Sequence, residues 1–244
     1  MKNIRIQDID VVVLCGGLGT RLHSVVDDRP KSMVEINGKP FLDILIEYIA
    51  HYGFIRFILC TGYKGDSIKR YYESKNGKWK FLISEEKEPL GTAGAIKKAE
   101  SFIKSDIFLV VNGDSLCEMD IKEFLKFHVR KGAFISIVLT SIGNSLDCGV
   151  IRLNKDQKII SYSEKVPIRG DGFVNAGIYF FNRKVLEEIR SGEKLSLEYD
   201  IFPGILDKGA YGYVTKKVLL DIGTPERLER ARDYFGKAKN ARQA

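Results

Sequence analysis

The sequence predicts an α/β fold with a mixed, mainly parallel central sheet. Strand-like and helix-like stretches alternate through the first half, which implies crossover connections between parallel strands. The strand-like runs are β-branched and lack polar alternation, as expected of strands covered on both faces. The first of them, Asp10 to Leu14, empties directly into the glycine loop Cys15-Gly16-Gly17-Leu18-Gly19.

From Pro40, FLDILIEYIAHYG repeats apolar residues at three-to-four spacing and stops at Gly53, so proline opens a helix and glycine closes it. A strand follows over Ile55 to Cys60, then a helix near Asp66 to Ser74, a strand near Lys80 to Ile83, a helix near Ala93 to Ile103 and a strand over Ile107 to Val111. After a helix over Asp120 to Lys131 the pattern changes. Strands at Ala133 to Thr140, Gly149 to Leu153, Lys158 to Ser163 and Phe173 to Phe181 are separated by short turns, the signature of antiparallel additions at a sheet edge. Helical patterns return at Arg183 to Ile189, Tyr199 to Lys208 and Thr224 to Phe235, the last opened by Thr224-Pro225-Glu226. Residues 1–236 read as one domain, and the lysine-rich tail over 237–244 is expected to fray.

The chain has 244 residues, 44% hydrophobic and 29% charged, enough to bury one core. No apolar run reaches the roughly 18 residues a membrane span needs, and the start lacks a signal-peptide pattern, so a cytoplasmic protein with no membrane partner is expected. Cys15, Cys60, Cys117 and Cys148 form no CxxC pair, which favours reduced thiols over a zinc site or a disulfide framework. A net charge of +7 favours anionic partners. The basic residues are dispersed and no nucleic-acid motif occurs, so nucleic acid is not expected among those partners.

The glycine loop after the first strand offers bare backbone amides to a phosphate, and Arg21 adds a charge beside them. It is neither a dinucleotide fingerprint, which needs a third glycine where Leu22 stands, nor a P-loop. Lys31 follows Pro30, a stiff mount for a second cation. Asp114 projects from the end of the strand closing at Val111, where open sheets place ligands, and Asp221 ends a similar apolar approach before Gly223. Two carboxylates suffice for Mg²⁺, which keeps its other positions for water and phosphate oxygens. Pro89-Leu90-Gly91-Thr92-Ala93-Gly94-Ala95 is a second glycine-rich loop, with Thr92 as a helix cap and amides open to a base or ribose. His23, His51 and His128 make no metal spacing, and no G-x-S-x-G elbow occurs, which disfavours zinc catalysis and serine hydrolysis.

Taken in order, GGLGTR with PK beyond it, PLGTAGA, NGD, EK, NAGIYFF and DIGTPE resemble the sugar-nucleotide nucleotidyltransferases from Asp10 to about Ala231. The resemblance implies a Rossmann-like three-layer fold and condensation of a nucleoside triphosphate with a sugar 1-phosphate to give a nucleotide sugar and pyrophosphate. The segments around Pro30-Lys31-Ser32-Met33, Gly38-Lys39-Pro40-Phe41-Leu42 and Ser196-Leu197-Glu198 look like the D-glycero-D-manno-heptose 1-phosphate guanylyltransferases, with mannose 1-phosphate guanylyltransferases the nearest alternative. GTP, a heptose 1-phosphate, Mg²⁺ and GDP-heptose for surface polysaccharide are the implied partners and product. Cys15 stands where alanine is common, and Ser32 where proline often follows the lysine.

The resemblance also implies roles. Arg21 and the Gly16, Gly17, Gly19 and Thr20 backbone would meet the triphosphate, Lys31 the α-phosphate, and Asp114 with Asp221 the metal. Leu14, Asn112, Gly91, Thr92 and Gly94 would meet the nucleotide, Lys165 the sugar phosphate, and Gly149, Glu164 and Asn175 the sugar hydroxyls. A non-catalytic sugar-nucleotide sensor is the alternative of another class; it would be expected to lack one of the charged residues, and all are present.

Overall fold

The computed structural model describes residues 4–241 apart from 18, 23–27, 76, 142–149 and 164–171. Its centre is a nine-stranded mixed sheet. β1 (Asp10–Leu14) opens it, and the minor strands β2 (Glu35–Ile36) and β3 (Lys39–Pro40) lead into α1 (Phe41–His51). β4 (Arg56–Thr61), α2 (Gly65–Glu73), β5 (Lys80–Glu85), α3 (Gly91–Lys98) and β6 (Ile107–Asn112) complete the alternating half. There follow β7 (Ser115–Cys117), α4 (Ile121–Lys131), β8 (Ile135–Ser141), β9 (Val150–Leu153), β10 (Ile159–Ser163) and β11 (Phe173–Asn182). The chain ends with α5 (Phe202–Ile205), β12 (Ala210–Thr215), β13 (Leu219–Asp221) and α6 (Pro225–Ala241).

β6, β1, β4 and β5 are parallel neighbours in that order. β11 joins β6 antiparallel and carries β8 and β9 on its far side, so the closely spaced strands do extend the sheet. β12 then runs parallel to β8, a strand the sequence pattern did not predict. Its Ala-Tyr-Gly-Tyr-Val-Thr has a glycine at its centre, where the Leu139 and Leu153 side chains pack too close to admit a Cβ.

Three layers follow from the period of a strand. Val11 and Val13 face one core with Leu45 and Ile49 of α1, Tyr72 of α2, Phe124 of α4 and Leu228 of α6. Val12 faces the other core with Ile96 of α3 and the C-terminal residues Val185, Ile201 and Phe202. Alternate side chains of a strand point to opposite faces, which is why a polar residue inside β1 would be costly. Asp10 is the instructive case. Fully buried at the strand's start, it accepts from the amides of Lys104 (2.6 Å) and Ser105 (2.9 Å) and from Arg56 Nε (2.7 Å), pinning the end of the sheet remote from the glycine loop.

Some predicted elements differ in detail. The stretch read as a helix over 199–208 is broken into a π turn at Leu197–Ile201, α5 and a 3₁₀ turn at Leu206–Lys208, with Pro203, which has no N–H to continue the preceding turn, in the first turn of α5. Arg183–Glu188 is a 3₁₀ turn rather than a helix. α6 continues past Gly236 to Ala241 instead of fraying there. Cys15, Cys60 and Cys117 are free and buried, and Cys148 lies outside the described residues.

His128 on α4 is buried, with Nδ1 2.9 Å from Ser136 Oγ and Nε2 without a protein partner among the described residues. Burial lowers its pKa from 6.5 to about 4, so the folded protein holds it neutral. The unfolded chain binds its proton first as pH falls, and stability drops between those two values. Urea unfolding is expected to show a loss on the order of 3 kcal/mol from pH 7 to 4 that His128→Gln largely removes. An unchanged pH slope in the variant would assign the loss to other groups.

Candidate functional site

A cleft of about 330 Å³ opens at the carboxyl ends of β1, β4 and β6. The chain passes from β1 to β4 and β5 on one side, then returns to place β6 on the other. Such a topological switch leaves a crevice between diverging loops, the ordinary ligand position of an open parallel sheet.

The glycine loop forms one rim. Gly16 is demanded by the protein itself, since a Cβ would stand 3.0 Å from both Glu86 Oε1 and the Gly62 amide. Gly17 is different: a Cβ there would meet nothing within 4 Å, and the residue lines the cleft. Gly19 has φ +64°, and a Cβ there would meet the Lys31 Cβ at 3.2 Å, so the loop lies against the lysine stem. Thr20–Leu22 make a 3₁₀ turn that leaves Arg21 exposed. Leu14 and Asn112 line the floor.

Asp114, in the turn before β7, and Asp221, the last residue of β13, are neighbours. β13 pairs antiparallel with β7, matching Asp221 with Ser115, and the Ile222 amide donates to the Asp114 carbonyl at 3.1 Å. Lys31 Nζ bonds Asp114 Oδ2 at 2.6 Å, and Ser115 Oγ donates to Asp114 Oδ1 at 2.9 Å. Burial raises the Asp114 pKa, but the Lys31 charge and these bonds outweigh it, so the carboxyl sits below its ordinary range and is anionic at neutral pH. Asp221 Oδ1 accepts from the Gly223 amide at 3.0 Å and from Arg227 Nη1 at 3.1 Å. Among the described residues no three His, Cys, Asp or Glu side chains gather as a metal cluster. A divalent ion here would rest on the two aspartates and on ligand oxygens, a donor set that suits a hard ion such as Mg²⁺.

The opposite end of the cleft departs from expectation. Thr92 lies inside α3 rather than capping it: Oγ1 accepts from the Leu197 amide at 2.8 Å and donates to Glu198 Oε2 at 3.1 Å. The amides of Ala93 and Gly94 are not open to a base, because both donate to the Leu195 carbonyl, at 2.9 and 3.2 Å. Gly94 itself is buried against Glu193, whose carbonyl would lie 2.6 Å from a Cβ, and Gly94 does not line the cleft. The glycines of this loop therefore admit a strap, residues 193–200, rather than a ligand. Gly91, Thr92 and Lys194 of that assembly do face the cleft.

Sequence reasoning missed Glu86, Ser32 and Arg227 as residues of this region. Glu86 lines the cleft, takes the Leu90 amide at 3.2 Å on Oε2, and has its pKa pushed up by burial. Ser32 Oγ and Asn112 Oδ1 are buried and lack a protein partner among the described residues, yet both residues line the cleft. Buried polar atoms are rarely left without partners, so such pairs are what a ligand completes. Of the residues assigned to a sugar, Gly149, Glu164 and Lys165 lie outside the described residues. Asn175 Oδ1 accepts from the Gly177 amide at 2.9 Å and its Nδ2 donates to Tyr179 Oη at 2.8 Å, bridging the irregularity in β11.

Comparison with known proteins fits this cleft. A family model described as nucleotidyl transferase matches residues 10–237. A D-glycero-alpha-D-manno-heptose 1-phosphate guanylyltransferase of Campylobacter jejuni is 35% identical over 93% of this chain and 97% of its own. A mannose-1-phosphate guanylyltransferase of Mycobacterium tuberculosis is 34% identical over 89% of this chain and 62% of its own. A crystal structure of HddC from Yersinia pseudotuberculosis complexed with GMP-PN superposes with a TM-score of 0.80 at 37% identity, covering 93% of this chain and 99% of that one.

The strap yields a direct test. Gly91 has φ +71° and its Cβ position collides with the Leu195 carbonyl, so Gly91→Ala is expected to cost about 2–4 kcal/mol in urea unfolding. Gly17→Ala should cost less than about 1 kcal/mol while weakening ligand binding, since its surroundings are open. Equal stability losses in the two variants would contradict this division of the glycines.

Proposed function

The chain belongs to the nucleotidyl transferase family, and from that premise we propose that it transfers GMP from GTP to D-glycero-D-manno-heptose 1-phosphate, giving GDP-heptose and pyrophosphate. The observation that carries this is the cleft itself, lined by Gly16 and Gly17, by Lys31 with Asp114 and by the half-buried acid Glu86, with the chain at Asp221 held beside that at Asp114 by the β7–β13 ladder.

The acid and the cations of the cleft discriminate parts of a nucleotide. Glu86 accepts hydrogen bonds, and guanine presents N1–H and the exocyclic amine as adjacent donors, whereas the matching edge of adenine places an acceptor at N1. A carboxylate that burial has made costly to keep ionised gains most from such donors. The Gly17 amide and Arg21 receive the β- and γ-phosphates, and Lys31 meets the α-phosphate.

An oxygen of the sugar 1-phosphate forms the new bond to the α-phosphorus, and the bond to pyrophosphate breaks. No enzyme-bound intermediate is needed, so positioning and charge neutralisation supply the rate. Asp114 and Asp221 would hold Mg²⁺, which when bound supplies positive charge to the phosphate oxygens. Lys165, Glu164 and Gly149 are proposed for the sugar phosphate and hydroxyls on the family resemblance. Among the described residues no helix is long and apolar enough to cross a membrane, and we place the reaction in the cytoplasm, feeding surface polysaccharide.

Product mass from four nucleoside triphosphates crossed with heptose, mannose and glucose 1-phosphates is expected to be largest for GTP with the heptose. Preference for mannose would select the alternative guanylyltransferase, a pyrimidine preference would overturn the base assignment, and no product from any pair would favour a sensor. Arg21→Ala and Lys31→Ala are each expected to lower kcat on the order of 10²- to 10³-fold, Arg21→Ala with little change in Tm and Lys31→Ala with a lower Tm because Asp114 loses its cation, and near-full kcat in either would remove its role. Glu86→Gln should reduce the GTP preference chiefly through KM; an unchanged ratio of GTP to UTP use would detach Glu86 from base recognition.

A further inference from the structure

Both aspartates assigned to a divalent cation already hold an internal one. Lys31 Nζ is 2.6 Å from Asp114 Oδ2, and Arg227 Nη1 is 3.1 Å from Asp221 Oδ1. The two pairs are neighbours: the point a Cβ would occupy on Gly223 lies 2.9 Å from Asp221 Oδ1, 3.3 Å from Lys31 Nζ and 3.8 Å from Arg227 Nη1. Arg227 sits in the first turn of α6, its amide bonded to Thr224 Oγ1 at 3.3 Å. The reaction proposed above assigns it no task.

Charge counting shows what this arrangement does. Two carboxylates and two cations sum to zero, so a divalent ion added to the intact cluster would bring an excess of two positive charges into a partly buried site, which is unfavourable. The excess disappears if an anion arrives with the metal and takes up the displaced cations.

We propose that Lys31 and Arg227 are resident counter-cations of Asp114 and Asp221, exchanged for a divalent ion when a triphosphate enters, and that Arg227 is thereby a positioning residue of the site. The inference rests on the metal role proposed for the two aspartates. Lys31 leaves Asp114 to meet the α-phosphate, and Arg227 leaves Asp221 to pair with a phosphate oxygen at the same end of the cleft. Metal and nucleotide then bind cooperatively, each raising the affinity for the other by the same factor.

The test is Mn²⁺ binding to the whole protein, followed by the electron paramagnetic resonance signal of free Mn²⁺, with no sugar phosphate present. Wild type without nucleotide is expected to bind weakly, and Arg227→Met and Lys31→Met to bind about tenfold more tightly, because each removes a competing cation. Arg227→Lys should keep wild-type affinity, and Arg227→Gln repeats the measurement should the methionine variant fail to fold. GTP should tighten Mn²⁺ binding in wild type by a larger factor than in Arg227→Met. Equal or weaker Mn²⁺ binding by Arg227→Met and Arg227→Gln would overturn the proposal, since that is what a purely structural arginine predicts. So would tightening that survives Asp221→Asn in the Arg227→Met background. Absence of Mn²⁺ binding in all variants, with and without GTP, would overturn the metal assignment itself. Metal exchange without any product from GTP and sugar 1-phosphates would leave this proposal standing and remove the reaction.

Discussion

Two carboxylates held close together repel, and the neutralisation of that repulsion organises the centre of this protein. The backbone gives Asp114 and Asp221 no choice about proximity, because the β7–β13 ladder and the Ile222 amide fix the turn before β7 beside the end of β13. Uncompensated, such a pair would raise one of its pKa values, as like charges sharing a site do. Here Asp114 is instead held below its ordinary range, with burial outweighed by the Lys31 charge. The position of Lys31 is in turn set by Pro30 behind it and by Gly19, whose left-handed backbone lets the glycine loop lie on the lysine stem. The glycine loop, the lysine and the aspartates are therefore one mechanical unit assembled from three distant segments.

The strap at the other end obeys a different logic. Helix α3 begins at Gly91 without a side-chain cap, so its first amides need acceptors. The Leu195 carbonyl supplies one for Ala93 and Gly94, and the Leu195 amide returns a bond to Leu90 at 2.9 Å. Glu198 closes the circuit by accepting from both Thr92 and Ser196, the latter at 2.8 Å. Backbone can come this close only where no Cβ intervenes. The glycines of PLGTAGA are thus accounted for by protein packing, and the cleft wall that carries Lys194 is fixed by it.

This explains why the fold was more legible than the site. Buried parallel strands such as Val11-Val12-Val13 and Phe108 to Val111 announce themselves by continuous apolar runs, and Asp120 capping α4 with its side chain on the Lys122 and Glu123 amides is a local signal. β12 escaped because its half-buried tyrosines alternate with alanine and glycine, residues poor in strand propensity that are placed by contact with β8. The pairing of Asp114 with Asp221 is a long-range fact that only the minor β7–β13 ladder creates, and three-residue strands leave no period to detect. Glu86 looked like one of several acids in Glu85-Glu86-Lys87-Glu88, and its half-burial beside Gly16 and Gly62 is what separates it from its exposed neighbours. Glycine spacing suggested open amides in both loops; of these glycines only Gly17 has empty space where a Cβ would stand.

The charges of the cleft have one more consequence. The net charge of +7 draws any polyanion toward the protein, but attraction of that kind falls off over about 8 Å at physiological salt and cannot orient what arrives. Orientation comes from inside the cleft. A phosphate chain directed at Glu86 would set like charges together in a partly desolvated place, whereas a base directed there can donate to it. The same molecule reversed would place an uncharged base against Arg21 and Lys31 and leave both cations without anions. On the reading proposed above, a nucleotide therefore enters with its base towards Glu86 and its phosphates towards Arg21 and Lys31, which is the sense a transfer at the α-phosphorus requires.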